Sequence, residues 1–346
     1  MKNTRTFIIA EAGSNWRMGT YSRDVKMAKA LIDVAAESGA DAIKFQTYRP
    51  ETVYVTNAGD TDYLSESGIK ESVSDMFKDL SMPYEMIPVL AEYCNKKNIQ
   101  FMSTPFSIAD AKAIDPYVKI HKIASYEISH PHLIEFVAKS GKPLILSTGG
   151  ATLDDIEWAL NYYRKNNGKE ISLLQTTAKY PAPLSTLNLH VIPSLMKKFG
   201  VPVGFSDHSR DPVIAPVAAV ALGASIIEKH FTLHNALPGP DHSFALTPQE
   251  LRIMVKAIRD CESCLGSSEK TVQAEEKEIR DFAQRAIQAI KPIKAGEILK
   301  QGVNVDVLRP GKQRQGLHPK NLPEMEGKKA TRDVPLGDGI RNEDFE

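Results

Sequence analysis

The sequence predicts a (β/α)8 TIM barrel followed by a small, mainly β domain. Two observations carry this prediction. Eight β-rich runs alternate with helical patterns across the first three quarters of the chain, and every run starts apolar and finishes in polar or ionisable residues. In a barrel of parallel strands those finishing residues converge on the C-terminal face, where such enzymes place their chemistry. A doubly wound open sheet is the alternative, but no G-x-G-x-x-G follows the first run.

The runs, in order, are TFIIAEAG (6–13), DAIKFQTY (41–48), IQFMSTPF (99–106), YVKIHKIAS (117–125), PLILSTGG (143–150), ISLLQTTA (171–178), PVGFSDHS (202–209) and SIIEKHFTL (225–233). Segments such as DVKMAKALIDVAAESG, HLIEFVAKSG and DDIEWALNYYRKNNG separate them, with apolar residues at helical spacing and a closing glycine. The stretch 49–82 is longer than a simple strand-to-helix connection requires and is expected to form a rim or lid. The barrel domain is expected over 1–266, followed by a charged helical linker over 267–285. Short runs punctuated by Gly and Pro over 286–346 predict the small β domain, which is expected to dock on something.

Composition narrows the function. With 43 basic and 43 acidic side chains, no overall field favours nucleic acid or an anionic membrane, so an anionic ligand must be held by local groups. The first apolar run is too short for a secretory signal, and the apolar stretch 213–227 is too short to span a bilayer. Three cysteines, Cys94, Cys261 and Cys264, suit a reducing cytoplasm better than a disulfide framework. Cys261 and Cys264 form a C-x-x-C with no second pair to complete a zinc site.

The strand ends supply the chemistry: Glu11; Lys44 and Gln46; Ser103 and Thr104; Lys122 and Ser125; Ser147 and Thr148; Thr176 and Thr177; Ser206, Asp207 and His208; Glu228, Lys229 and His230. Any one serine or threonine there is more often a turn or cap residue, but all eight ends are functionalised. His208 and His230 end adjacent strands, a placement that suits an open divalent-metal site better than two hydrogen-bonded core histidines. Asp207 either orients His208 or caps the following helix, and the first role is preferred. Lys44 and Lys122 suit a Schiff base, a buried ion pair or an oxyanion cradle. The surrounding hydroxyls favour the cradle, and so a phosphorylated substrate beside a metal that polarises a carbonyl.

Nine motifs in this order, FIIAEAGSN, DAIKFQTY, MSTPF, KIASYEI, LSTGGAT, YPAP, GFSDHS, EKHFTL and GPDHSF, resemble the sialic acid (nonulosonic acid) synthases. The tail, with IKAGEIL and LRPG, is similar to their antifreeze-like (SAF) domain. The resemblance implies condensation of phosphoenolpyruvate with an N-acetylhexosamine aldehyde and water to a nine-carbon 2-keto acid and phosphate. It also implies Mn²⁺ or Mg²⁺, and a domain-swapped homodimer in the cytoplasm. Carried over by position, Lys44, Gln46, Thr104, Lys122, Ser125, Ser147, Tyr180 and Ser206 would hold phosphoenolpyruvate. His208 and His230 would bind the metal, Glu127 would stand near the reacting carbons, and Asp241 and Arg309 would touch the sugar.

Three departures concern the acceptor and the phosphoenolpyruvate contacts. The loop after the first strand reads NWRMGTYSRD without the usual histidine, and Ala178 replaces a polar residue before the Tyr-Pro. KQRQ follows Arg-Pro-Gly, making Arg314 a second candidate for the sugar. N-acetylmannosamine is the first expectation for the acceptor, followed by a diacetamido-dideoxy hexose leading to legionaminic or pseudaminic acid. The competing classes are a metal-dependent or Schiff-base aldolase, which would use Lys122 covalently, and a non-catalytic carbohydrate-binding protein.

Overall fold

Eight parallel strands run in the order β3-β2-β1-β8-β7-β6-β5-β4: β1 (Phe7–Gly13), β2 (Ala42–Thr47), β3 (Gln100–Pro105), β4 (His121–Ile123), β5 (Leu144–Ser147), β6 (Ile171–Thr176), β7 (Val203–Asp207) and β8 (Ile226–His230). β3 and β4 lie side by side and complete the ring, giving the predicted TIM barrel. The structure, a computed structural model, describes residues 5–55 and 73–346. The principal helices are α1 (Tyr21–Glu37), α2 (Met86–Lys96), α3 (Ile108–Ile114), α4 (Pro131–Ser140), α5 (Leu153–Lys165), α6 (Val191–Phe199), α7 (Ile214–Ala221) and α8 (Pro248–Leu265).

Strand alternation sorts the side chains into two cores. Ile9, Ala42, Met102, Ile145, Leu174 and Ile226 fill one cluster, with Ile120 packed against it. Residues of the opposite parity, including Ile8, Ile43, Phe101, Leu144, Leu173, Val203 and Ile227, join helix residues such as Leu31, Leu90, Val137, Leu160 and Leu251 in the larger cluster. Gly204 belongs to the inner parity. A Cβ there would stand 2.5 Å from Ile226 O and 2.7 Å from Leu174 Cδ2, so only glycine fits that layer.

Helix boundaries follow their caps. Thr152 with Asp155 opens α5, and Thr247 with Glu250 opens α8, each as a reciprocal capping box. Gly141 and Gly200 close α4 and α6 in the left-handed conformation.

Two expectations need adjusting. β4 is three residues long rather than nine: Tyr117 belongs to a 3-10 turn over Asp115–Tyr117, and a second 3-10 turn over Ser125–Ser129 takes the end of the run. In the expected rim element, short helices occupy Pro50–Val53 and Val73–Asp79, and residues 56–72 lie outside the described residues.

The chain divides into two compact units, Met1–Gly266 and Ser267–Glu346. The second contains a helix at Lys277–Ala283 and an antiparallel pair, β9 (Ala286–Ala289) and β10 (Val305–Leu308). Its own core comprises Ile287, Ala289, Ile293, Leu299, Val305, Met325, Ala330, Val334 and Ile340. No helix among the described residues is long and apolar enough to cross a membrane.

Candidate active site

Stepping two residues along each strand from the inner apolar layer leads to the polar residues of the mouth: Ile9 to Glu11, Ala42 to Lys44, Met102 to Thr104, Ile120 to Lys122, Ile145 to Ser147 and Ile226 to Glu228. The register sets Glu11 opposite both Lys44 on β2 and His230 on β8, and Ser206 opposite Glu228.

Lys44 Nζ lies 2.7 Å from Glu11 Oε2 and 3.7 Å from Glu228 Oε1, and donates to Thr104 Oγ1 at 3.0 Å. Gln46 Nε2 donates to Glu11 Oε1 at 3.2 Å. Lys122 Nζ donates to Ser147 Oγ at 2.7 Å and to Ile123 O at 3.0 Å. Ser206 Oγ donates to Glu228 Oε1 at 3.0 Å, and Ser125 Oγ accepts from Gly149 N at 3.0 Å. The expected pocket of cations and hydroxyls is therefore present, but it is interleaved with two buried carboxylates. Glu11 and Glu228 stood among the strand ends in the sequence without a role; an ionisable residue inside an apolar run was their only signal.

Burial sets the proton affinities. It pushes Lys122 down to about 8, against the opposing pull of Glu228. Lys44 goes the other way: burial opposes its charge, but Glu11 and Glu228 overcome that and raise it. Burial raises Glu11 despite Lys44, whereas Lys122 and Lys44 outweigh burial at Glu228 and lower it. Glu127, in the 3-10 turn after β4, is pushed up to about 7 by burial, and its Oε2 has no hydrogen-bond partner.

The two histidine rings lie 5.7 Å apart between centroids. Tyr180 stacks on His208 at 4.0 Å, and Phe244 meets His230 edge-on at 5.3 Å. His208 Nδ1 donates to Thr177 O at 2.8 Å, which leaves Nε2 with its lone pair. Burial holds His208 neutral by lowering it to about 3. His230 Nδ1 is buried without a hydrogen bond, 3.5 Å from Asp241 Oδ2. Burial opposes a charge on His230, yet Asp241 and Glu11 raise its proton affinity, and the same negative surroundings favour any cation there. The residues thus fit a divalent ion. Among the described residues no group of three or more His, Cys, Asp or Glu converges as ligands, so two imidazoles would leave the remaining positions open.

Asp207 requires a correction. It points to the outer face and pairs with Lys229 at 2.5 Å, so it makes no bond to the His208 ring, which Thr177 holds instead. Strand alternation is the reason, since Ser206 and His208 face in and Asp207 must face out.

In the loop NWRMGTYSRD, Arg17 pairs with Asp24 and Asp79, both at 2.7 Å, beside a cavity of about 530 Å³ lined also by Trp16 and Lys78. Asp241 reaches the backbone at Gly13, where a Cβ would stand 2.7 Å from its Oδ2. Arg309 and Arg314 belong to the second unit. Arg314 is tied to Glu343 at 2.8 Å and Asp344 at 3.1 Å, whereas Arg309 is exposed and forms no ion pair among the described residues.

Comparison with known proteins gives a concordant picture. The NeuB family model matches residues 31–270, and the SAF domain model matches residues 284–346. The sequence is 42% identical to the spore coat polysaccharide biosynthesis protein SpsE of Bacillus subtilis, over 98% of this chain and 93% of that protein. It is 38% identical to the N,N'-diacetyllegionaminic acid synthase of Campylobacter jejuni, over 97% and 99%. Among solved structures, the N-acetylneuraminic acid (sialic acid) synthetase of Leptospira borgpetersenii, in complex with citrate, matches with a TM-score of 0.70 at 34% identity, covering 81% of this chain and 92% of that one.

Proposed function

This chain belongs to the NeuB family and carries a SAF domain, and from that premise we propose that it condenses phosphoenolpyruvate with an N-acetylated hexosamine aldehyde and water to a nonulosonic acid and phosphate. The observation that carries the reading is the pairing of two buried lysines with hydroxyls, Lys44 with Thr104 and Lys122 with Ser147, at the mouth that also holds His208 and His230. Phosphoenolpyruvate offers a carboxylate and a phosphate, and two separated cation–hydroxyl pairs can meet both. Ser125, Ser206, Gln46 and Tyr180 complete its proposed contacts.

Carbon–carbon bond formation moves the enol electron pair from C3 to the aldehyde carbon, and the aldehyde oxygen takes up a proton. A divalent Mn²⁺ or Mg²⁺ held by His208 and His230 would supply Lewis-acid polarisation of that oxygen. Positive charge then develops at C2. The Glu127 carboxylate stabilises it, water adds there and loses a proton, and the tetrahedral product expels phosphate to leave the 2-ketone. Lys44 and Lys122 hold the departing phosphate and the carboxylate throughout.

For the sugar we assign Asp241 from the barrel and Arg309 from the SAF domain. Arg314 is set aside because it already satisfies Glu343 and Asp344. A homodimer in which each SAF domain caps the partner's barrel belongs to the same proposal. N-acetylmannosamine and a diacetamido-dideoxy hexose share the aldehyde and the 2-acetamido group that this chemistry reads. Similarity to a diacetyllegionaminic acid synthase brings the second to equal standing with the first.

The test is phosphate release from phosphoenolpyruvate with a panel of both acceptor types, with Mn²⁺ and with chelator. Release that needs one sugar and the metal supports the proposal; release independent of both overturns it.

A further inference from the structure

We propose that Lys229, paired with Asp207, is a positioning residue that sets the spacing of the two histidines. The proposal rests on reading His208 and His230 as ligands of a divalent cation. Residues 207 and 229 alternate with the inward-facing Ser206, His208, Glu228 and His230, so their side chains lie on the outer face of the barrel wall. There the Lys229 ammonium donates to Asp207 Oδ2 at 2.5 Å and to Ser209 O at 2.6 Å. These two partners flank His208 in sequence, and Lys229 itself immediately precedes His230. One ammonium therefore binds both peptide neighbours of one imidazole to the residue that carries the other.

The sheet does not do this on its own. β7 ends at Asp207, and its pairing with β8 ends at the Asp207–Lys229 position. His208 lies one residue beyond that register. Asp207 Oδ1 accepts from Ser209 N at 2.7 Å, which folds the chain back directly after His208. Inside the barrel, Nδ1 of His208 has its bond to Thr177 O, and the His208 carbonyl accepts from Ala182 N at 2.9 Å. The ring and carbonyl of His208 are thereby fixed from within, and the residues on either side of it from without.

Stability alone does not account for the charges. The pair is 1% and 0% exposed, and well-packed apolar side chains of similar volume are often as stable as such a buried ion pair, or more so. An apolar pair has no directional bond to Ser209 O, and in this proposal that bond, together with Ala182 N on the His208 carbonyl, places the backbone at His208.

The test is Mn²⁺ titration of the substrate-free full chain, by calorimetry or by loss of the free-ion paramagnetic resonance signal, alongside thermal unfolding. Wild type binds and His208→Ala does not. Lys229→Met leaves Asp207 unpaired, melts earlier and binds Mn²⁺ about 10- to 100-fold more weakly, the range for a residue that orients a metal ligand. The double variant Asp207→Leu/Lys229→Met regains the wild-type melting temperature but keeps the weakened Mn²⁺ binding, and its kcat falls while KM for phosphoenolpyruvate holds. A folded double variant that binds Mn²⁺ as wild type does overturns the proposal, because the pair is then packing only. Failure of the wild type to bind Mn²⁺, or unchanged binding in His208→Ala, instead overturns the two-histidine site itself.

Discussion

Glu11 and Lys44 face each other in the β1–β2 register, with Lys44 Nζ 2.7 Å from Glu11 Oε2 deep in the barrel mouth. Both are buried; Glu11 and Glu228 together sustain the Lys44 charge, whereas burial raises the proton affinity of Glu11 against the pull of Lys44. Lys44→Met removes a charge-assisted contact to phosphoenolpyruvate worth about 1.5–3 kcal/mol, which raises its KM roughly 10- to 150-fold. It also strands Glu11. Adding Glu11→Gln to Lys44→Met restores thermal stability without restoring KM, as initial rates and melting curves of the three variants would show.

Glu127 and Lys122 set the pH profile. Glu127, raised to about 7, acts as the carboxylate, so activity climbs as pH passes that value. Lys122, lowered to about 8, acts as the ammonium, so activity falls above it. The profile of kcat/KM for phosphoenolpyruvate is then a bell between those two limits. Glu127→Gln loses turnover and, in whatever activity remains, the acidic limb. The sign for stability is separate: a raised carboxyl favours the fold below its unfolded value and gives up that contribution as pH rises through about 7. Urea unfolding is expected to show Glu127→Gln gaining on wild type between pH 5 and pH 8.

Much of this site was legible because strand alternation is a rigid rule. Every run ends in polar residues, and the inner layer of Ile9, Met102, Ile145 and Ile226 turns Glu11, Thr104, Ser147 and Glu228 inward two residues later. At 207 the same rule turns the side chain outward, between the inward-facing Ser206 and His208. Pairings across strands were not legible. That Glu11 and Glu228 both approach Lys44 depends on the ring order and on the register, which no single run contains. The length of β4 was hidden too, since YVKIHKIAS reads as one extended run while 3-10 turns take Tyr117 at its start and Ser125 at its end, and only His121–Ile123 pair as a strand.

Tyr180 covers His208 face to face at 4.0 Å. Such a pair contributes about 0.5–1.5 kcal/mol beyond its buried area, roughly 2- to 10-fold in an equilibrium constant. Tyr180→Phe keeps the ring and holds Mn²⁺ affinity near wild type; Tyr180→Ala loses it by at least that factor. Calorimetric titration of the two variants separates ring from hydroxyl.

Arg309 and Arg314 diverge under mutation. Arg309→Ala raises KM for the sugar and leaves the melting temperature unchanged. Arg314→Ala breaks contacts to Glu343 and to the buried Asp344, so the SAF domain melts earlier. Steady-state kinetics in the acceptor and calorimetric scans of both variants check the assignment.

The central claim is that three carbons of phosphoenolpyruvate join an N-acetylated sugar aldehyde. Incubation of the full chain with uniformly ¹³C-labelled phosphoenolpyruvate, Mn²⁺ and each acceptor, followed by mass spectrometry, reads this directly. The expected outcome is one acceptor converted to a 2-keto acid three labelled carbons longer, with one phosphate released per product. Labelled carbon found only as pyruvate, with no acceptor extended, would contradict it.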